Sequence, residues 1–202
     1  MMETPELPTG IRELPVVGGD LALDFANTVD DPLGPERHDH VADYRGLLWW
    51  SMRVGMLTEE AADRLVSRSA PRRATAVVRR AHQLREAINL AAGSQADGAE
   101  FAGWVGLRPF VSAAIEHSEL VDLRPVWQFE TLESPLWPVA LAAYELVTGP
   151  RSSRIKRCAG CPWLFLDQSK NGSRRWCSME ICGTTEKMRL YVSRRAARRI
   201  RT

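Results

Sequence analysis

Cys158, Cys161, Cys177 and Cys182 are the only cysteines in this chain of 202 residues. Their C-x2-C-x15-C-x4-C spacing points to one chemistry, because two close pairs separated by a loop let four sulfurs converge tetrahedrally on a single zinc ion. A redox C-x2-C would leave Cys177 and Cys182 without a role, and two disulfides would need an oxidising compartment. Four protein ligands leave no position for water or substrate, so the one zinc expected here is structural rather than catalytic.

The charge of the chain divides at the same place. Residues 151–202 carry 14 Lys and Arg against three acids, Asp167, Glu180 and Glu186, a formal +11, whereas residues 1–150 carry 13 basic and 22 acidic residues, a formal −9. A small basic zinc module is the electrostatic footprint of a polyanion binder, with DNA the expected partner, although phosphate contacts alone serve DNA and RNA alike. The candidate nucleic-acid contacts are Lys170, Arg174, Arg175, Lys187, Arg194, Arg198 and Arg201. A solvated basic tail is the plainer reading of the same charges.

Local signals suggest how the module holds these side chains. Asn171-Gly172 favours a two-residue turn, predicting a β-hairpin between 163–170 and 173–177 in which Phe165 and Trp176 form a small apolar core. The same register sets Asp167 beside Arg174 as an ion pair and leaves Arg175 the freer phosphate contact. Beyond Cys182, residues 186–201 read as a basic helix with Lys187, Arg194, Arg198 and Arg201 on one face, and Met188, Val192 and Ala196 on another.

The preceding 150 residues read as a multihelical domain with a short β-hairpin, so the fold class is mainly α. Helices are predicted over 39–52, from Thr58 to about Ser67, from Pro71 to about Gly93, over 98–117 with Pro109 kinking or dividing the run, and from Ser134-Pro135 to Val147. The last is apolar nearly all round, which places it in the core or at a subunit interface such as that of a homodimer. Extended stretches at 120–123 and 126–129 flank Arg124-Pro125 as a candidate hairpin. Leu21, Leu23 and Phe25 alternate as in a strand, with Asp24 and Asn27 either turned away from its buried face or capping a turn.

On the third helix His82, Arg85 and Asn89 form a polar stripe beside the apolar face. Together with Asn27 and an indole wall from Trp49 or Trp50, His82 and Arg85 make a candidate pocket for a small anionic effector, against the plainer alternative of intramolecular pairing such as Arg85 with Asp24. His38-Asp39-His40 lies in a Pro/Gly-bounded segment and reads as a solvated loop rather than a second metal site. No nucleophile triad, phosphate-cradling glycine loop or spaced carboxylate pair is present to support an enzyme. The longest apolar run, 136–147, is interrupted by Glu145 and too short to span a bilayer. The acidic N-terminus has no signal-peptide pattern, and zinc-type cysteines fit a reducing cytoplasm.

Cys158-Ala-Gly-Cys161, Phe165-Leu-Asp167, Ser169-Lys-Asn171, Arg174-Arg-Trp-Cys177-Ser-Met179 and Cys182-Gly183 together resemble the CGNR-type zinc finger family. The N-terminal Gly18-Gly-Asp-Leu-Ala-Leu-Asp-Phe-Ala-Asn27-Thr28 is similar to the opening of the ABATE domain that precedes that finger. The resemblance implies a bacterial stress-induced transcription regulator with residues 1–150 as a helical sensor or dimerisation domain and residues 151–202 as a DNA-binding finger. Where the family motif continues Asn-Arg, this chain has Thr184 and Thr185 followed by Glu186, removing a cation and adding an acid beside the zinc. A zinc-stabilised protein-interaction module without nucleic-acid binding is the alternative.

Overall fold

The computed structural model describes residues 7–30, 35 and 37–199, the side chains at 190 and 194–199 excepted. Thr9–Glu13 (α1) and Leu21–Ala26 (α2) are short helices. Tyr44–Arg53 (α3) begins at Asp43, whose carboxylate accepts the Gly46 N–H at 2.8 Å, and Glu59–Ser67 (α4) begins at Thr58, whose hydroxyl accepts the Ala61 N–H at 3.3 Å. Each cap satisfies an otherwise orphaned donor of the first turn. Pro71–Ala96 (α5) opens on proline as the sequence predicts but runs through Gly93. A side chain at Gly93 would meet the Arg157 guanidinium at 2.9 Å, so this glycine makes room for a crossing side chain rather than ending the helix. Trp104–Glu116 (α6) contains Pro109, Leu136–Thr148 (α7) stops at Gly149, and Thr184–Arg199 (α8) is the basic helix. No helix among the described residues is long and apolar enough to cross a membrane.

Three antiparallel two-stranded ladders complete the mainly α fold: Val29–Asp30 (β1) with His38–Asp39 (β2), Glu119–Val121 (β3) with Arg124–Val126 (β4), and Ile155–Arg157 (β5) with Leu164–Leu166 (β6). The second ladder turns at Asp122-Leu123, both at positive φ, rather than at the expected Arg124-Pro125. This register sets Pro125 opposite Leu120, where the antiparallel alternation requires no N–H from it. The segment expected to alternate as a strand, Leu21 to Phe25, is helical instead. Asp20 caps it, and Ala22, Leu23, Phe25 and Ala26 all reach the core.

Helix α7 is central, packing against α6, α2 and α5, which fulfils the core alternative for its apolar circumference. The core does not end at residue 150. Ile155, Leu164 and Leu166, at most 3% exposed, belong to the same cluster as Leu23, Trp50, Leu84 and Leu146. Phe165, between Leu164 and Leu166, turns the other way into a second cluster with Cys158 and Cys177, against which Trp176 packs. The two-residue period of a strand thus places one face of β6 in the helical core and the other beneath the cysteines.

The hairpin expected around Asn171-Gly172 does not form, because β6 pairs backward with β5 and not forward with 173–177. Asp167 supplies the physical reason. Its fully buried carboxylate accepts from Lys156 Nζ at 2.7 Å, the Ser169 hydroxyl at 2.6 Å, the Ser169 N–H at 2.9 Å and the Arg174 N–H at 3.0 Å. A buried carboxylate without donors is so costly that the chain from 167 to 174 wraps around it instead of extending into a strand. Burial alone would raise the pKa of Asp167, but these bonds outweigh it and hold the carboxyl well below the usual range.

Candidate metal centre and its docking to the helical body

Cys158 follows β5, Cys161 sits in the turn between β5 and β6, Cys177 closes the loop around Asp167, and Cys182 lies in the short π-helical turn Met179–Gly183 that leads into α8. Their four sulfurs all lie within 4.8 Å of one another, and Cys177 Sγ is 3.6 Å from both Cys161 Sγ and Cys182 Sγ. A tetrahedron with zinc–sulfur bonds of about 2.3 Å has edges of about 3.8 Å, so the spacing fits that ion. Backbone amides complete the fit: Cys158 Sγ accepts from Gly160 N–H at 3.4 Å and from Cys177 N–H at 3.2 Å, bonds that favour thiolates. Four sulfurs this close cannot all be thiolates unless a cation offsets their charge. The hydrogen bond from Cys177 draws Cys161 down to about 6, whereas Cys177 is raised by the same bond and burial pushes Cys182 up to about 12. A divalent ion relieves that conflict, and the donor set is that of one structural zinc.

Among the described residues, the four cysteines are the one group of three or more His, Cys, Asp or Glu side chains close enough to share an ion. In the His38-Asp39-His40 segment, His40 is hydrogen-bonded to Asp30 at 2.7 Å and Asp39 pairs with Arg85 at 2.6 Å, so the segment is structured by these bonds rather than solvated as a loop.

The candidate basic contacts separate into distinct environments. The Arg174 guanidinium lies over the Phe165 ring at 4.6 Å and donates to the carbonyls of Val17, Trp176 and Cys177. Arg174 is therefore a structural side chain, as its expected pairing suggested, but the cation facing Asp167 is Lys156. Lys170, Arg175 and Lys187 are exposed, and none lies within ion-pair distance of a carboxylate among the described residues. Arg194 and Arg198 fall on α8, but their side chains and all of Arg201 lie outside the described residues. At the departure from the family motif, Thr184 and Thr185 hydroxyls donate to the Met179 and Ile181 carbonyls, splicing the π-helical turn to α8. Glu186 is held bidentately by Arg189, at 2.8 and 2.9 Å.

The candidate pocket residues also part company. Trp50 is fully buried, edge-on to Phe25 at 4.9 Å, and provides no pocket wall. His82 binds the Val41 carbonyl at 2.8 Å. Arg85 grips Asp39 through two bonds of 2.6 and 2.7 Å and Thr28 at 3.0 Å, so its partner is Asp39 and not Asp24. Asn27 is 2% exposed, and its amide donates to the Leu164 carbonyl at 2.8 Å while its oxygen accepts the Leu164 N–H at 3.0 Å. One side chain thus covers the outer edge of β6, and the Gly18 carbonyl extends the cover by accepting the Leu166 N–H at 2.7 Å. Trp163 Nε1–H reaches the Val29 carbonyl at 2.9 Å, and ion pairs Arg151–Asp20 and Arg157–Asp97 flank the seam. The sequence hides these links because they join positions more than 100 residues apart, or, for Arg157–Asp97, 60 apart.

Asp24 belongs to the same seam. It accepts the Gly18 N–H at 2.8 Å, and Gly18 has to be glycine because a Cβ would lie 2.8 Å from the Asp24 nitrogen. Burial, helped by Asp20, pushes the Asp24 carboxyl up to about 6 against its hydrogen bonds. Since the folded pKa exceeds the unfolded one, the stabilising contribution is complete below about pH 4 and is lost as pH rises through about 6. Asp24→Asn keeps an oxygen for Gly18 and is expected to stabilise the protein by about 1–3 kcal/mol near pH 8 and by almost nothing near pH 3. Thermal unfolding at both pH values checks this, and an equal effect at the two would show that Asp24 does not titrate as described.

Residues 154–195 match the CGNR zinc finger, and the match spans the departure at 184–186. Residues 19–150 match ABATE, described as "Putative stress-induced transcription regulator". No curated protein matches the chain. The tetrathiolate cluster and the N-terminal segment that clasps it coincide with these two adjoining matches, and the chain belongs to the ABATE family, with a CGNR zinc finger following its helical domain.

Proposed function

We propose that this chain is a transcription regulator that holds DNA through the basic face of its zinc module, with the helical body as the regulatory part. The observation that carries this reading is the set of uncommitted cations on the module. The segment 151–202 is formally +11 against −9 for the rest, yet Arg151, Lys156, Arg157 and Arg189 are its only ion-paired basic residues among those described. Lys170, Arg175 and Lys187 remain exposed, Arg175 lying over the Trp176 ring at 5.2 Å, and α8 carries four further arginines beyond Ser193 along its last turns. Such an array suits phosphate contacts that set position, with α8 available to a groove. Glu186 pairs with Arg189 and attracts Arg175 at longer range, so the departure offsets part of the module's charge without pairing Lys170 or Lys187.

The test is binding of the zinc-loaded protein to labelled duplex DNA across a salt series, beside a variant carrying Lys170→Ala, Arg175→Ala and Lys187→Ala. Log affinity should fall linearly with log salt, and the variant's slope should be shallower by about 0.9 for each phosphate it no longer neutralises. Absence of binding at low salt would overturn the reading.

The exposed Met179, Ile181, Met188 and Val192 favour a second reading. Phosphate contacts do not require such apolar side chains, whereas a protein partner of the module would use them. Under that reading the triple variant changes nothing, and replacing Met188 and Val192 by serine abolishes partner capture.

A further inference from the structure

We propose that the cleft between the helical body and the zinc module is a binding site for a small planar carboxylate. The site extends the functional reading to a regulatory ligand but stands independently of DNA binding. The cleft encloses about 480 Å³. Arg85 and Asn89 line it from α5, Arg157 and Trp163 line it from the zinc module, and Arg37 completes the lining. Ligand sites concentrate at such junctions, where an apolar wall meets a few fixed polar groups.

Three guanidinia and one carboxylate, Glu86, line the cleft, and with Asp39 and Asp97 paired to those guanidinia the charges balance, so the lining offers a carboxylate directed N–H donors rather than net charge. Two of the three are held from behind. Asp39 fixes Arg85 with bonds of 2.6 and 2.7 Å, and Asp97 fixes Arg157 with bonds of 2.7 and 3.0 Å. These acids neutralise part of the charge but lock the guanidinium planes, so little side-chain entropy is lost when a ligand arrives. Arg37 is different: it lies 3.6 Å from Asp39, an acid already gripped by Arg85, and its side chain is 53% exposed. It is free to swing onto a carboxylate. The planar part of the ligand follows from Trp163, whose indole is fixed by its bond to the Val29 carbonyl and lines the cleft beside Pro162. Because Arg85 and Asn89 belong to the body while Arg157 and Trp163 belong to the zinc module, a ligand here contacts both and stabilises their docked arrangement.

Benzoate is the probe, with benzamide as its uncharged counterpart and inorganic phosphate as an anion without a plane. Each is titrated into zinc-loaded full-length protein while the Trp163 indole N–H resonance, assigned through Trp163→Phe, is followed by NMR. Benzoate is expected to shift that resonance saturably and to raise the unfolding temperature, benzamide and phosphate are not, and Arg37→Gln is expected to weaken benzoate about tenfold. Arg37 carries no part of the core, so this variant folds. A silent Trp163 resonance, an equal response to benzamide, a response to phosphate alone, or an unchanged affinity in Arg37→Gln would each overturn the proposal. The readout involves no DNA, so its failure is distinct from failure of the nucleic-acid reading.

Discussion

Replacing Cys177 by serine is expected to unfold the zinc module and to take much of the helical body with it. Cys177 is tied into the module through its sulfur and its main chain: the sulfur lies 3.6 Å from two others, its N–H donates to the Cys158 sulfur, and its carbonyl accepts from Arg174. Zinc in small tetrathiolate sites contributes on the order of 10 kcal/mol to folding, and that contribution requires all four ligands. In an independent finger the loss would stay local. Here Ile155, Leu164 and Leu166 are part of the main core, and exposing a fully buried aliphatic side chain to water costs about 1.5–3 kcal/mol. Three such costs approach the whole stability of an ordinary domain, about 5–15 kcal/mol. Elemental analysis of the variant should show little bound zinc, and circular dichroism should show a broad, early thermal transition in helices far from the metal. Chelation of the wild type should reproduce both. A variant that retains one zinc per chain would sink the four-cysteine assignment, and a zinc-free variant with an unchanged transition would sink the shared core.

Which parts of this arrangement are legible in the sequence depends on the range of the forces that make them. The metal centre is legible because the identity and spacing of Cys158, Cys161, Cys177 and Cys182 restrict the chemistry without reference to the rest of the fold. Helices with a local start signal, such as α4 behind Thr58 and α5 behind Pro71, are legible for the same reason. Errors arise where a distant partner decides. The hairpin at Asn171-Gly172 is locally sound, but the buried Asp167 recruits Lys156 from β5 and turns the strand toward it. Leu21, Leu23 and Phe25 alternate like a strand, yet Asp20 caps a helix that buries Ala22 and Ala26 as well, residues too small to mark the pattern. The charge divides at residue 150 while the core runs across that point, because charge patterning reports on surfaces and Ile155, Leu164 and Leu166 pack beneath them. Asn27 is read as a pocket residue on its polarity alone, and only the fold reveals that its partner is a main chain 137 residues away.

That partnership makes Asn27→Ala the variant expected to separate docking from metal binding. The truncation leaves the Leu164 N–H and carbonyl without partners in a site that is fully buried, and each unsatisfied group costs about 1–3 kcal/mol. A destabilisation of about 3–5 kcal/mol follows, large for a single side chain away from the metal. Asn27→Asp sharpens the argument. Its carboxylate can still accept from Leu164 N–H but repels the Leu164 carbonyl, so at neutral pH it should be no better than alanine, and it should recover in part on acidification, when the protonated acid regains a donor. Zinc content should remain at one ion per chain in both variants, because no cysteine and none of the amides bonded to Cys158 is touched. Urea unfolding followed by amide exchange at Leu164 gives the readout, with faster exchange at Leu164 and a lower midpoint while the metal stays bound. If the stability moves by less than about 0.5 kcal/mol, β6 does not depend on Asn27 for its edge, and the body and the zinc module are held together by apolar contact alone.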